Sequence, residues 1–239
     1  MRWQGRPGEW AQGSYQASGR VVGLAFAGQP SGRMAASGRY PLPGRPGIRG
    51  ATVDFEAGSQ GGRARLSVKD GVLELPDVFE QAELPVQRLE ASAAWRVQGE
   101  RIEVQLDNVR VSNADAEGTA QVRWHTGEQA GQRFPGVLDL TARLTRANAT
   151  SVHRYLPLTM PAEARRYVRE AVLGGQSDQV DFRVRGEVAE APYEDPGDQG
   201  EFRIAARLRK VDMDYVPAFL QSAGEASWPG LRGVSGELV

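Results

Sequence analysis

Cysteine is absent from the 239 residues, which excludes disulfides, thiol chemistry and cysteine-ligated zinc or iron–sulfur centres. Histidine is nearly absent: His125 and His153 are too few for a histidine-rich metal site. No stretch approaches the ~18 consecutive apolar residues of a membrane-crossing helix. Residues 1–15 lack the apolar run of a secretory signal. An excess of charge of one sign is missing too. Lys+Arg total 29 against 30 Asp+Glu, for a net charge of -1 and a pI of about 6.2. No global basic field therefore calls for nucleic acid or an anionic membrane surface. Apolar residues make up 40%, enough to bury a core but not a generous one, in one large or two small domains.

What is present is alternation of period two. Leu138, Leu140, Ala142 and Leu144 alternate with Asp139, Thr141 and Arg143. Val180, Phe182 and Val184 alternate with Asp181, Arg183 and Arg185. Phe202, Ile204, Ala206 and Leu208 follow the same rule, as do Leu89 to Val97, Ile102 to Leu106 and Ala120 to Trp124. Successive side chains of a strand point to opposite faces, so each segment has one apolar and one charged face. Antiparallel sheets with one wet face read this way, whereas buried parallel strands are continuously apolar.

The 29 glycines and 14 prolines punctuate these strands. Lys69-Asp70-Gly71 reads as a tight hairpin, and Gly99-Glu100 as another. The pattern slips at Asn108, where a bulge would restore the apolar face at Val109 and Val111. Pro161 to Val172 breaks the alternation with Ala164, Tyr167, Val168 and Ala171 at helical spacing. Thr159 suits its cap, Pro161 and Glu163 its first turn, and Gly174-Gly175 its end. A shorter helical turn is expected over Ser151 to Leu156. Covering a sheet end is the expected role for so short a helix, although Arg165, Arg166 and Arg169 leave a membrane-surface role open. Gly28 to Arg49 reads as a loop between strands at Val21–Ala27 and Ala51–Glu56. Further soft stretches fall at Asp195–Gly200 and Trp124–Pro135. The final Leu231 to Val239 reads as an unfinished strand, which suggests a piece of a longer protein.

No catalytic constellation is visible. His125 falls on a polar strand phase and His153 in the helical turn, so neither has the company a triad requires. Asp139, Asp181 and Glu201 are carboxylates, but each sits in an arginine-flanked stripe that reads as a solvated sheet face. Asp212-Met213-Asp214 and Asn113 to Gly118 place oxygens at alternate positions without completing a calcium loop. Gly58 to Gly62 does not lie between a strand and a helix, which removes the phosphate-loop reading. Phe182, Phe202 and Trp124 share the apolar phase, away from the arginines that nucleic-acid stacking would need. The apolar face then has two solutions. It folds onto a second sheet as a sandwich, the commoner architecture, or it curls into a groove or barrel that takes an apolar ligand.

Residues 138–239 also carry an ordered set of motifs. These are Leu138-Asp-Leu-Thr-Ala-Arg-Leu144, Val152-His-Arg-Tyr-Leu-Pro-Leu158, Ala164-Arg-Arg-Tyr-Val168, Gly174-Gly175 and Val180-Asp-Phe-Arg-Val-Arg-Gly186. Pro192-Tyr193, Gly200-Glu-Phe-Arg-Ile204, Val211-Asp-Met-Asp-Tyr215, Trp228-Pro229 and Gly233-Val-Ser-Gly-Glu-Leu238 follow. In this order they resemble the central region of the YhdP family of AsmA-like, TamB-related Gram-negative envelope proteins. Asn108 to Trp124 resembles the preceding family strands more loosely. The resemblance implies a mainly β fold: a long curved antiparallel sheet forming an open groove, with one short helical insertion near 151–173. It divides the chain into a β segment at 1–85 with a Gly/Pro-rich loop and a groove segment at 86–239 with its helix at 161–172.

The function implied is carriage of phospholipid through the periplasm between inner and outer membranes, supporting the outer-membrane permeability barrier. The implied partners are phospholipid acyl chains and a parent protein anchored in the inner membrane. No cofactor, nucleic acid or catalytic residue is implied. The groove lining maps onto Leu138, Leu140, Leu144, Val180, Phe182, Val184, Phe202, Ile204 and Leu208. Two other readings remain: a closed β-sandwich interaction module that binds no lipid, and an enzyme pairing Asp181 with Glu201 in a cleft. Exposed strand edges allow an oligomer of the fragment.

Overall fold

A computed structural model describes residues 2–4, 14–128, 133–193, 199–222 and 228–239. Its strands are β1 (Arg2–Gln4), β2 (Ser14–Phe26), β3 (Gly47–Gly58), β4 (Gly61–Glu74), β5 (Glu83–Gln98) and β6 (Arg101–Ser112). They continue with β7 (Ala116–His125), β8 (Val137–Asn148), β9 (Val172–Glu187), β10 (Glu201–Asp214) and β11 (Gly230–Leu238). All pair antiparallel in sequence order as a single 11-stranded sheet. β1 and β11 do not pair with each other, so the sheet is open. Among the described residues no second sheet exists, and the two-sheet sandwich expected from composition is not formed.

The alternating segments form strands where expected, and residues 14–58 contribute two long ones, β2 and β3. Gly99-Glu100 joins β5 to β6 as a two-residue turn, with Gly99 at φ 57. The slip expected at Asn108 is present: the β6–β7 register shifts between Leu106 and Val109, with Asn108 at φ 53. Leu231 to Leu238 lies in β11.

The hairpin expected at Lys69-Asp70-Gly71 is not formed. β4 runs through it, and Val72 and Leu73 go on to pair with Pro85 and Leu84. A two-residue reversal of the commonest kind needs two successive left-handed residues. Here only Asp70 is left-handed, at φ 52, so the strand kinks instead of turning back.

That kink belongs to a seam across the sheet. Gly23 (φ 70), Gly50 (φ 81), Asp70, Asn108, Lys210 (φ 49) and Gly233 (φ 65) put one left-handed residue in each of six strands. The register slips beside Gly23, Gly50, Asn108, Lys210 and Gly233. One such residue reverses the alternation of faces, as in a bulge. Apolar residues of opposite parity, such as Ala51 and Ile48 in β3, therefore reach the same side. Ile48, Ala51, Val68, Val86 and Leu89 form a buried cluster straddling the seam. Ala51 is 0% and Val68 3% exposed although no helix covers them. A flat single layer could not enclose them, so the sheet curls its apolar face inward.

The helical insertion lies between β8 and β9. Ala149–Tyr155 forms a 3-10 helix and Ala162–Ala171 the α-helix α1. Thr159 is not the cap; Pro161 occupies that place and no side chain bonds the exposed N–H groups. The helix also ends before the glycines, because Val172 already pairs with Met213 as the first residue of β9. Of the stretch Asp195–Gly200, residues 195–198 lie outside the described residues.

Candidate functional site: an apolar track with a charged back

Residues directly opposed in antiparallel strands share a face. Following those oppositions assembles the candidate site. One row runs Gly19, Phe55, Ala64, Ala93, Leu106, Val122, Leu140, Val184 and Phe202. A second runs Leu24, Ala51, Val68, Leu89, Val111, Gly118, Leu144, Val180, Ala206 and Leu238. Between them lie Val53 and Leu66, then Val109, Ala120, Ala142, Phe182 and Ile204. Neighbouring strands are ~4.8 Å apart, so the apolar face from β2 to β10 is roughly 40 Å long.

The nine residues expected to line a groove divide among these rows. Leu140, Val184 and Phe202 share the first, Leu144 and Val180 the second, and Phe182 and Ile204 the one between. Leu138 stands farther out, opposite Trp124 and Gly186. Leu208 opposes Ser177 and Gly236, beside the rows. Val180 is buried at 8%, Phe202 is exposed at 40%, and the other seven are half-buried. Sequence reasoning placed no lining residue before Leu138, yet the most enclosed part of the face is Ala51, Val68 and Leu89. The signal was legible in Ala51-Val53-Phe55 and Ala64-Leu66-Val68, which alternate as cleanly as the later strands.

The opposite face is charged and internally paired. Arg143 donates to Asp181 at 2.5 Å, Arg209 lies 2.9 Å from Asp178, and Arg183 bridges Asp139 and Glu201. Hydrogen bonds from Gln179 and Arg143 hold the Asp181 carboxyl below its usual range. The hydrogen bond to Asp139 raises Arg183. Asp181 opposes Ala205 while Glu201 opposes Arg185, four residues along β10, a separation of roughly 13 Å. His125 and His153 each turn Nδ1 to a backbone carbonyl, of Thr126 and Thr150, at 2.9 Å. The Asn113 side chain closes its own turn by accepting from the Asp115 and Ala116 N–H groups. Asp212 and Asp214 accept from Gly233 N–H and Arg232. Among the described residues no three His, Asp or Glu are grouped to hold a metal ion, and no helix is long and apolar enough to cross a membrane.

The two ends of the strands differ. At one end the long connections are tied together. Gly28 N–H donates to Glu74, Ser31 N–H to Asp77, and Gly44 N–H to the Pro76 carbonyl. The insertion reaches back to the β4–β5 connection through Arg165 and Arg169 on Glu80, Leu158 N–H on Val78, and Tyr155 edge-on to Phe79. The Asp115 carboxylate anchors its middle, accepting from Ser151, Arg154 and Tyr155. At the other end β3–β4 and β5–β6 close in two-residue turns. Ala17, Ala57, Gly62, Trp95, Val104 and Trp124 form a row there, with the Trp124 ring stacked on Phe134. A hollow of 1180 Å³ sits at this rim around the β3–β4 turn. Another of 640 Å³ lies mainly against charged-face side chains, including Asp54, Arg63, Arg65 and Asp107, as a saddle-twisted sheet allows. Neither is lined by the nine expected residues.

An open antiparallel sheet with one continuous apolar face, a charged back and, among the described residues, no second sheet defines a β-groove protein. Within that class the chain belongs to the YhdP family, a family of envelope proteins: the family model described as YhdP protein matches residues 4–239, nearly the whole chain. No curated protein and no solved structure matches it.

Proposed function

We propose that this chain is a segment of a periplasm-spanning lipid-transport bridge, in which phospholipid acyl chains travel along the apolar face between inner and outer membranes. The parent protein is anchored in the inner membrane and supports the outer-membrane barrier. The observation that carries this reading is the continuity of the apolar rows across nine neighbouring strands, β2 to β10, with mostly half-buried side chains and, among the described residues, no second sheet over them.

Each buried methylene contributes about 0.8 kcal/mol, so a face of this extent suffices to hold acyl chains outside a membrane. Apolar contact is non-directional, which permits sliding along the rows. The paired charges of the back keep the outer surface hydrated. On this reading the chain performs no bond chemistry, and its carboxylates are structural.

The test is site-specific photo-crosslinking in cells, in the full-length parent protein. Probes at Phe182 and Phe202 are compared with probes at Arg183 and Arg203 on the opposite face. Lipid adducts at the phenylalanines alone support the track. Absence of lipid at all four, with the protein folded and expressed, favours an interaction module and removes the transport reading for this segment.

A further inference from the structure

The 1180 Å³ rim hollow has a composition unlike the rows it adjoins. Tyr15, Ala57 and Trp95 line it from the apolar phase, and Gln16, Gln60 and Arg96 bring hydrogen-bonding groups to the same space. Glycine makes the juxtaposition possible. Gly58, Gly61 and Gly62 put three residues without side chains at the rim. A Cβ on Gly62 would stand 2.5 Å from the Trp95 ring, so the indole can rest there only because residue 62 is glycine.

The electrostatics select a sign. Glu56 also lines the hollow, but its carboxylate is engaged by Arg63 at 2.6 Å. Arg96 is exposed and makes no ion pair among the described residues; Glu103, directly opposite it in β6, is held by Arg101 at 2.8 Å and meets Arg96 only as a farther charge. Guanidinium forks suit phosphate oxygens, and Trp and Tyr favour positions where one side is apolar and the other wet. The opposite rim carries the tied connections, whereas at this one β3 and β4 join through only Ser59 and Gln60.

We infer that this hollow is a headgroup port, in which the phosphodiester of a phospholipid sits against Arg96 and the glutamine amides while its acyl chains pass Trp95 onto the apolar rows. The inference rests on the lipid-track reading and adds an orientation to it. Headgroups travel along the Trp95–Trp124 rim, and the tied rim faces the chain ends.

The experiment uses the full 239-residue chain with phosphatidylethanolamine vesicles carrying one of two photoactivatable lipids, with the diazirine at the headgroup or near the acyl terminus. Adducts are mapped by peptide mass spectrometry. The port predicts headgroup adducts on residues 15–17, 56–62 and 95–96, and acyl adducts on the rows through Leu106, Val122, Leu140 and Phe182. Arg96→Gln, an exposed change checked for folding by circular dichroism, should lower headgroup labelling about fivefold and leave acyl labelling in place.

Headgroup labelling on residues 149–171, or spread evenly over the chain, would overturn the port while the acyl pattern still supported the track. Absence of acyl adducts on the rows would sink the track itself. Equal labelling by a chain-free glycerophosphoethanolamine probe would assign the hollow to soluble phosphodiesters, and this too would overturn a lipid port.

Discussion

Phe182 of β9 stands directly across from Ile204 of β10, and both remain half-buried, although Val68 in the same field of apolar side chains is only 3% exposed. The apolar face is thus graded: Ile48, Ala51, Val68, Val86 and Leu89 of β3 to β5 form a buried cluster, whereas Phe182, Phe202 and Ile204 of β9 and β10 keep access to water. A charge placed on it should act differently at the two places. Val68→Asp puts a carboxylate into the buried cluster and should cost about 3 kcal/mol or more. Phe182→Asp keeps access to water and should cost about 1–2 kcal/mol, leaving a folded chain. Urea melts followed by circular dichroism separate the two. Equal, complete loss of structure in both would mean that the β9–β10 region is a closed core.

The seam gives a second prediction. Asn108 is left-handed at φ 53, a conformation Asn tolerates and β-branched residues do not. Asn108→Val should lose about 1–2 kcal/mol, whereas Asn108→Gly should be close to neutral. Gly50→Val, at φ 81, should be at least as costly as Asn108→Val. If Asn108→Val melts like the wild type, the bulge is not what aligns Leu106 with Val109 on one face.

The contrast between Asn108 and Asp70 also marks how far the sequence could be read. At Asn108 the apolar residues change parity over a short interval, Leu106 to Val109, so a bulge was visible. At Asp70 the same change looks like a turn, because Asp-Gly is a hairpin signal and nothing local tells a kink from a reversal. The decision lies in the pairing of Val72 and Leu73 with Pro85 and Leu84, a contact between strands. The choice between sandwich and groove was hidden for the same reason. Alternation specifies that one face is apolar, but what covers that face depends on the curl of the whole sheet. The rim hollow was illegible because Trp95 and Gly62 meet only through the β4–β5 register.

The charged back should tolerate substitution. Asp181 accepts from Arg143 and Gln179 on the exposed face, and Glu201 lies 3.5 Å from Arg183. Exposed pairs of this kind contribute little each. Asp181→Ala and Glu201→Ala should each leave the melting temperature and the lipid adducts at Phe182 unchanged. Loss of a measurable hydrolytic activity in both variants would point instead to an acid–base site.

The tied rim should loosen in acid. Burial pushes the Glu80 carboxyl up, but Arg165 and Arg169 outweigh it and hold it below its ordinary value of 4.5. A group depressed in the folded state binds more protons when unfolded. Its contribution is therefore present above the ordinary value and lost as pH falls through the lower folded one. Asp181 and Glu103 are depressed as well and titrate in the same window, so a global melt does not isolate Glu80. The local reporter is Leu158 N–H, which donates to the Val78 carbonyl at 2.8 Å beside the Glu80 contacts. Its protection factor, the exchange rate set against that of an unstructured amide at the same pH, should fall as pH drops below the ordinary carboxyl value. Glu80→Gln should show the lower protection already at neutral pH, with no further acid step and a stability loss of about 1 kcal/mol or less, since both arginine contacts are partly solvated. Asp115→Asn leaves the Glu80 contacts intact and should retain the acid step even while it weakens the hydrogen bonds of Ser151, Arg154 and Tyr155. An acid step at Leu158 that survives in Glu80→Gln would assign the latch to another group.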